Sequence, residues 1–146
     1  MGWNQWALFR FSNKTYDDTL KLVFPNKGDH WGWPFADTQD SGTRNRITYD
    51  EIQDKEIGPQ TSYAYGQTGK QNEWAGMEGT VDIWTKAAAG ISGQKIARVY
   101  YSCPWSGKNQ FTITDIASGW NVTHWGADYD GDALGSITIE EVGIRL

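Results

Sequence analysis

Apolar and polar residues alternate with a period of two along much of the chain, and the alternation is interrupted at short intervals by Gly, Pro, Asn and Asp. Val99 and Tyr101 share one face of such a run, and Phe111 and Ile113 share a face of the next. Period-two alternation predicts half-buried strands. Nine stretches qualify: WALFRFS within 3–12, TLKLVFP (19–25), RITYDEI (46–52), SYAYG (62–66), GTVDIWT (79–85), KIARVYYS (95–102), QFTITDI (110–116), NVTHWGA (121–127) and SITIEEV (136–142). FPNKGDHWGWP, GQTGKQNEWAG and DYDGDALGS read as the loops between them. KAAAG (86–90) is the one helix candidate, and it is too short to organise a fold. The chain shows no heptads, internal repeat or linker, so the prediction is one all-β domain over 1–146, a single-domain antiparallel β-sandwich.

Composition sharpens this picture. The 146 residues include 9 Trp, 7 Tyr and 17 Gly, so much of the apolar material is aromatic and much of the chain turns. Hydrophobic residues make up 38% and charged residues 21%, which is the range of a folded domain. The formal charge of −5 argues against nucleic acid as a partner, because phosphate binding needs a basic footprint. It argues equally against a polybasic clamp on anionic lipid. Zwitterionic and neutral partners stay open.

The opening MGWNQWALFRF lacks the charged start and long apolar run of a secretory signal, and no segment approaches the roughly 18 apolar residues of a spanning helix. The expectation is a soluble chain, released without a signal peptide, that acts at a target-cell membrane. The sequons at Asn13 and Asn121 have meaning only on a eukaryotic secretory route. A single cysteine excludes an intrachain disulfide and a multi-thiolate metal site, and Cys103 is expected to be a small buried hydrophobe.

The candidate chemistry is aromatic. Trp31 and Trp33 flank a glycine in DHWGWPF, and Trp74 and Trp105 also fall in predicted loops. Such rings either cap the core or form a platform for a sugar, a choline or an ammonium group, since the ring quadrupole attracts cations. Pro104 cannot donate to a ladder, so it ends its strand and leaves Trp105 at the loop tip. Asp128, Asp130 and Asp132 alternate as at the start of an EF-hand loop, but Ala133 and Ile139 stand where that loop needs Gly and Glu. A turn between strands is the reading. His30 and His124 have no metal-ligand spacing, and a Cys103–His124 dyad has no third group to support it. No metal, cofactor or enzymatic activity is expected.

Four pieces then carry a resemblance. QWALFRFSN (5–13), GTVDIWT, RVYYSCPWSGKNQFTIT (98–114) and DALGSITIEEV (132–142) occur in an order and spacing that closely resemble the aegerolysin family of fungi and bacteria. The resemblance implies a compact β-sandwich of the kind shared with actinoporins. It also implies recognition of membrane sphingolipids, either sphingomyelin with cholesterol or ceramide phosphoethanolamine. Many members are the targeting half of a two-component cytolysin whose larger partner has a perforin-like (MACPF) domain, and some bacterial pairs are insecticidal. The chain looks like that bacterial branch. A sphingolipid-containing membrane and a MACPF protein are thus the implied partners, and a homodimer is left open.

Carried over position by position, the family's lipid-contacting residues fall on Trp6, Trp31, Trp105 and Lys108. The lysine would pair with a headgroup phosphate while the rings meet the ammonium or the interface. Sphingomyelin-binding members have a glutamate where Ala75 stands here, with Glu73 and Glu78 as neighbours and Glu73 as a substitute. Trp33 and Trp74 lie outside the transferable pattern and are expected contacts only through exposure. The competing readings are a Trp-rich carbohydrate-binding module or lectin, which would need polar groups around sugar hydroxyls, and an interaction protein without lipid affinity.

Overall fold

The structure, a computed structural model, describes residues 4–37, 45–69 and 76–143. Among these residues, nine strands and one short α-helix follow in the order β1 (Trp6–Asn13), β2 (Leu20–Val23), β3 (Trp33–Phe35), α1 (Tyr49–Gln53), β4 (Ser62–Thr68), β5 (Met77–Thr85), β6 (Lys95–Cys103), β7 (Gln110–Thr114), β8 (Trp120–Trp125) and β9 (Gly135–Gly143), with a 3-10 turn over Lys27–Asp29 between β2 and β3. They form two sheets, β3-β4-β1-β9-β8 and β2-β5-β6-β7. The predicted β-sandwich is the observed architecture.

Alternation decides which side chains fill the space between the sheets. Ala7, Phe9 and Phe11 of β1, Ile137 and Ile139 of β9, and Val99 and Tyr101 of β6 are buried at every second position. Phe9 touches Tyr101 across the sandwich, 4.4 Å between ring centroids, and Tyr65 on the neighbouring strand of its own sheet at 5.4 Å. Aromatic pairs at such distances contribute beyond the area they bury. All pairings are antiparallel except β1 with β9, which run parallel from Ala7↔Gly135 to Asn13↔Glu141.

Two sequence expectations are corrected. The stretch 46–52, predicted as a strand, contains helix α1 instead. Its Thr48 and Glu51 form a capping box: Thr48 Oγ1 accepts from the Glu51 N–H at 3.1 Å, and Glu51 Oε2 accepts from the Thr48 N–H at 2.8 Å. That reciprocal pair satisfies two orphan amides and outweighs the apparent alternation. KAAAG is no helix. It belongs to the β5–β6 connection, closed by a bridge between Ala88 and Ile91.

The register places one end of both sheets together. Trp6, Trp33, Thr68, Met77, Cys103, Gln110, Trp125 and Gly135 mark that end, while Asn13, Thr85, Lys95 and Gly143 mark the other. Among the described residues, the large exposed apolar side chains divide between the two poles. Trp31, Trp125 and Tyr129 occupy the first, and Tyr16, Ile91, Ile116 and Val142 the second. No helix among the described residues is long and apolar enough to cross a membrane.

Candidate functional site

At the first pole, Trp31, Gly76, Met77, Glu78, Ser102, Pro104, Trp105 and Ser106 enclose an open groove of about 330 Å³. Three chain segments meet there, and each is fixed by a particular contact.

Trp31 is held by its backbone. It bridges β5, with its N–H donating to the Glu78 carbonyl oxygen at 3.0 Å and the Glu78 N–H donating back at 3.2 Å. Gly32 follows at φ +89°, and a Cβ there would collide with the Thr68 carbonyl oxygen. Only glycine takes that turn without strain. The turn rotates the two neighbouring rings apart, leaving Trp31 61% exposed and Trp33 6% exposed. Trp33 therefore lacks the exposure on which its expected contact rested; the Arg46 guanidinium lies 5.5 Å from its ring centroid.

Beneath Trp31 lies a buried polar chain that the sequence reading did not single out. Gln67 is fully buried on β4. Its Nε2 donates to the carbonyl oxygens of Trp31 at 2.6 Å and Glu78 at 2.9 Å, and its Oε1 accepts from the Tyr101 hydroxyl at 2.8 Å. Burial holds the Tyr101 and Tyr65 phenols well above the usual tyrosine range, so both stay protonated. Tyr101 donating to Oε1 thereby fixes which way the Gln67 amide points. The visible cue in the sequence was only a polar residue in an apolar run, SYAYGQT.

The Trp105 loop is held on its other side. Cys103 ends β6 with its thiol donating to the Asp132 carbonyl oxygen at 3.0 Å. Gly76 presses against the Cys103–Pro104 backbone so closely that a Cβ would collide with the Cys103 carbonyl oxygen. Asn109 is buried, and its Nδ2 donates to the carbonyl oxygens of Asp128, Gly131 and Ala133 at 2.8, 2.9 and 3.3 Å. The Asp128 carboxylate in turn caps its own loop by accepting from the N–H groups of Asp130 and Gly131. The DYDGDALGS run is thus the turn that the sequence suggested, and it serves as the anchor of the Trp105 loop.

Among the other expected residues, Lys108 is exposed on that loop with its Nζ 3.7 Å from the Asp130 carboxylate, and it does not line the groove. An exposed pair at this distance is weak and easily exchanged. Trp6 is half-buried at the start of β1, where its carbonyl oxygen accepts from the Leu134 N–H, and it also stands outside the groove. Glu73 and Trp74 lie outside the described residues. Trp125, 53% exposed, and Tyr129, 42% exposed, extend the aromatic pole beyond what the sequence reading named. The alternation of β8 carried the signal: Val122 points inward, so Trp125 three positions on points out.

Cys103 and His124 form no dyad among the described contacts. The thiol is buried and pushed up to about 11, chiefly by burial, while the His124 ring packs on Phe111 at 4.7 Å with its basicity lowered by burial.

A family profile described as Aegerolysin matches residues 4–143 of this chain. The chain belongs to the aegerolysin family. It is 30% identical over 138 residues to Aegerolysin Aa-Pri1 of Cyclocybe aegerita, spanning 93% of this chain and 88% of that one. It is 25% identical to Asp-hemolysin of Aspergillus fumigatus over 137 residues, 93% of this chain and 91% of the relative. Among solved structures, the RahU protein in complex with a TRIS molecule superposes with a TM-score of 0.78 at 14% identity, covering 99% of this chain and 98% of that chain. That last likeness concerns the fold, which this aegerolysin shares from end to end.

Proposed function

We propose that this aegerolysin binds membrane lipid through the aromatic pole, with a sphingolipid headgroup seated in the groove between Trp31 and Trp105. The observation that carries the reading is the exposure of Trp31 beside the half-buried Trp105, on backbone fixed from below by Gln67 and from the side by Asn109. A large ring held exposed on rigid backbone loses little freedom on reaching an interface, where tryptophan is favoured. Trp125 and Tyr129 widen the same apolar rim. Lys108, bound only loosely to Asp130, is available to a headgroup phosphate. Trp6 acts in this proposal by supporting the rim.

Family membership supports membrane-lipid binding, and the name of the Aspergillus relative, Asp-hemolysin, agrees with a membrane target. The proposal extends to a division of labour: this chain selects the membrane and a larger MACPF protein forms the pore, in a pair directed against insects.

The test is co-sedimentation of the pure protein with vesicles of phosphatidylcholine alone, of sphingomyelin with cholesterol, and of ceramide phosphoethanolamine with cholesterol. Binding confined to a sphingolipid is the expected result. Glycan binding without binding to any vesicle would replace this reading with the lectin one. Lysis by the pure protein at low concentration would remove the division of labour.

A further inference from the structure

Among the described residues, Glu78 is the only charged one that lines the tryptophan groove. It also lines an adjoining hollow of about 340 Å³ with Pro25, Asn26, His30, Thr80, Arg98 and Tyr100, so its half-buried side chain stands at the junction of the two. Its backbone is held twice, by the bridge to Trp31 and by the Gln67 amide. Its carboxylate is held too, because Oε2 accepts from the Tyr100 hydroxyl at 2.8 Å. Burial, together with the hydrogen bond to Glu78, raises the Tyr100 phenol and keeps it a donor.

A carboxylate placed this way would normally be neutralised by the nearest cation. Arg98 shares the hollow, but its guanidinium is committed to Asp82, with Nε to Oδ1 at 2.8 Å and Nη2 to Oδ2 at 3.0 Å. No ion pair to Glu78 occurs among the described residues. An oriented carboxylate on a residue that lines the same groove as two tryptophans, with no ion-pair partner among the described residues, is a receptor for a cation, since the charge and the ring faces attract the same ligand.

Resting on the lipid-binding reading above, we infer that Glu78 recognises the ammonium end of a zwitterionic headgroup. Its oxygen Oε1 and the rings of Trp31 and Trp105 receive the positive group, and the phosphate lies toward Lys108. Glu78 thereby supplies, from β5 itself, the negative charge that Ala75 lacks. The shared chemistry is an ammonium two carbons from a phosphate, which phosphoethanolamine and phosphocholine both carry. A primary ammonium would donate hydrogen bonds to the carboxylate, whereas a trimethylammonium would rely on charge and ring faces.

The test compares the wild-type chain with Glu78→Gln on cholesterol vesicles containing ceramide phosphoethanolamine, sphingomyelin or ceramide phosphate, the last carrying phosphate without an amine. The wild type is expected to bind at least one zwitterionic vesicle and to bind ceramide phosphate more weakly. Glu78→Gln is expected to lose about tenfold in affinity for the zwitterionic vesicle, the scale of one charge-assisted contact, at an unchanged melting temperature. Equal binding by wild type and variant would overturn the role of Glu78 and leave the lipid reading standing. Binding to no vesicle by the wild type would remove both.

A second measurement needs no variant. Intrinsic tryptophan fluorescence of the wild type is titrated with phosphocholine, O-phosphoethanolamine and inorganic phosphate. A response to either zwitterion at concentrations where phosphate gives none supports ammonium recognition, and equal responses to all three overturn it.

Discussion

The Nδ2 group of Asn109 donates to the carbonyl oxygen of Asp128 at 2.8 Å, and through this contact the loop that carries Trp105 is tied to the turn between β8 and β9. Two further carbonyls, of Gly131 and Ala133, share the same amide. One buried side chain thus ties three carbonyls of that turn to the loop that presents the tryptophan.

Replacing Asn109 with alanine leaves three carbonyls without that donor. The expected cost is about 1–3 kcal/mol of folding stability, the range for removing one partner of a buried hydrogen bond. Asn109→Asp should cost more, because an acceptor would then face three acceptors. Urea unfolding checks both. Amide exchange around 104–109 should rise more than in β1, and an even rise across the chain would contradict the local role.

Trp31 and Trp33 should separate binding from stability. Trp31 is 61% exposed, so Trp31→Ala should change stability by no more than about 0.5 kcal/mol while vesicle binding falls. Trp33 is buried, and Trp33→Ala should destabilise on the order of 3–5 kcal/mol. Thermal melts beside co-sedimentation read the contrast. A stability loss for Trp31→Ala equal to that of Trp33→Ala would return Trp31 to the core.

The same pair shows what the sequence allowed one to see. Alternation identified every strand but β3, because one face of each packs against the other sheet. β3 escaped because its three residues, Trp33, Pro34 and Phe35, are all buried and leave no alternation to detect. The parallel β1–β9 pairing escaped because no local signal specifies which distant strand becomes the neighbour. Trp31 and Trp105 were legible as candidate site residues from ring size and loop position. The positioning contacts of Gln67 and Asn109 and the role proposed for Glu78 were not, since a polar residue acquires such a role only from partners far away in the chain. The opposite fates of Trp31 and Trp33 depend on the backbone turn at Gly32, which the Trp-Gly-Trp spacing alone does not define.

Cys103 should be inert in the folded protein. Its thiol is fully buried, hydrogen-bonded to Asp132 and pushed up to about 11, so the reactive thiolate is scarce at neutral pH. A thiol-specific reagent at pH 7.5 should label it slowly without denaturant and fully, at one equivalent, in strong denaturant. Fast labelling of the native state would show that the Cys103–Asp132 contact opens readily, and with it the base of the Trp105 loop.

Glu141 contributes a pH dependence to the stability. It lies on the inward face of β9, fully buried, and neither carboxyl oxygen has a hydrogen-bond partner. Burial pushes its pKa well above the usual carboxylate range. Its own main-chain N–H, which does not reach hydrogen-bond geometry, lowers it in part, and the neighbouring charge of Glu140 raises it further. The folded state therefore holds the proton more tightly than the unfolded chain does. Below the unfolded value, near 4.5, both states are protonated and the group costs no ionisation energy. As the pH rises beyond that value, the unfolded chain releases its proton first, and the folded state loses relative stability until its own raised pKa is passed. Glu141→Gln removes this titration while keeping the shape. Its stability relative to the wild type should therefore improve steadily from pH 4.5 to pH 7.5, as read by urea midpoints at several pH values. A difference that stays constant across that range would mean that Glu141 is stabilised in its charged form in the folded protein, by a partner that moves in when the carboxylate ionises.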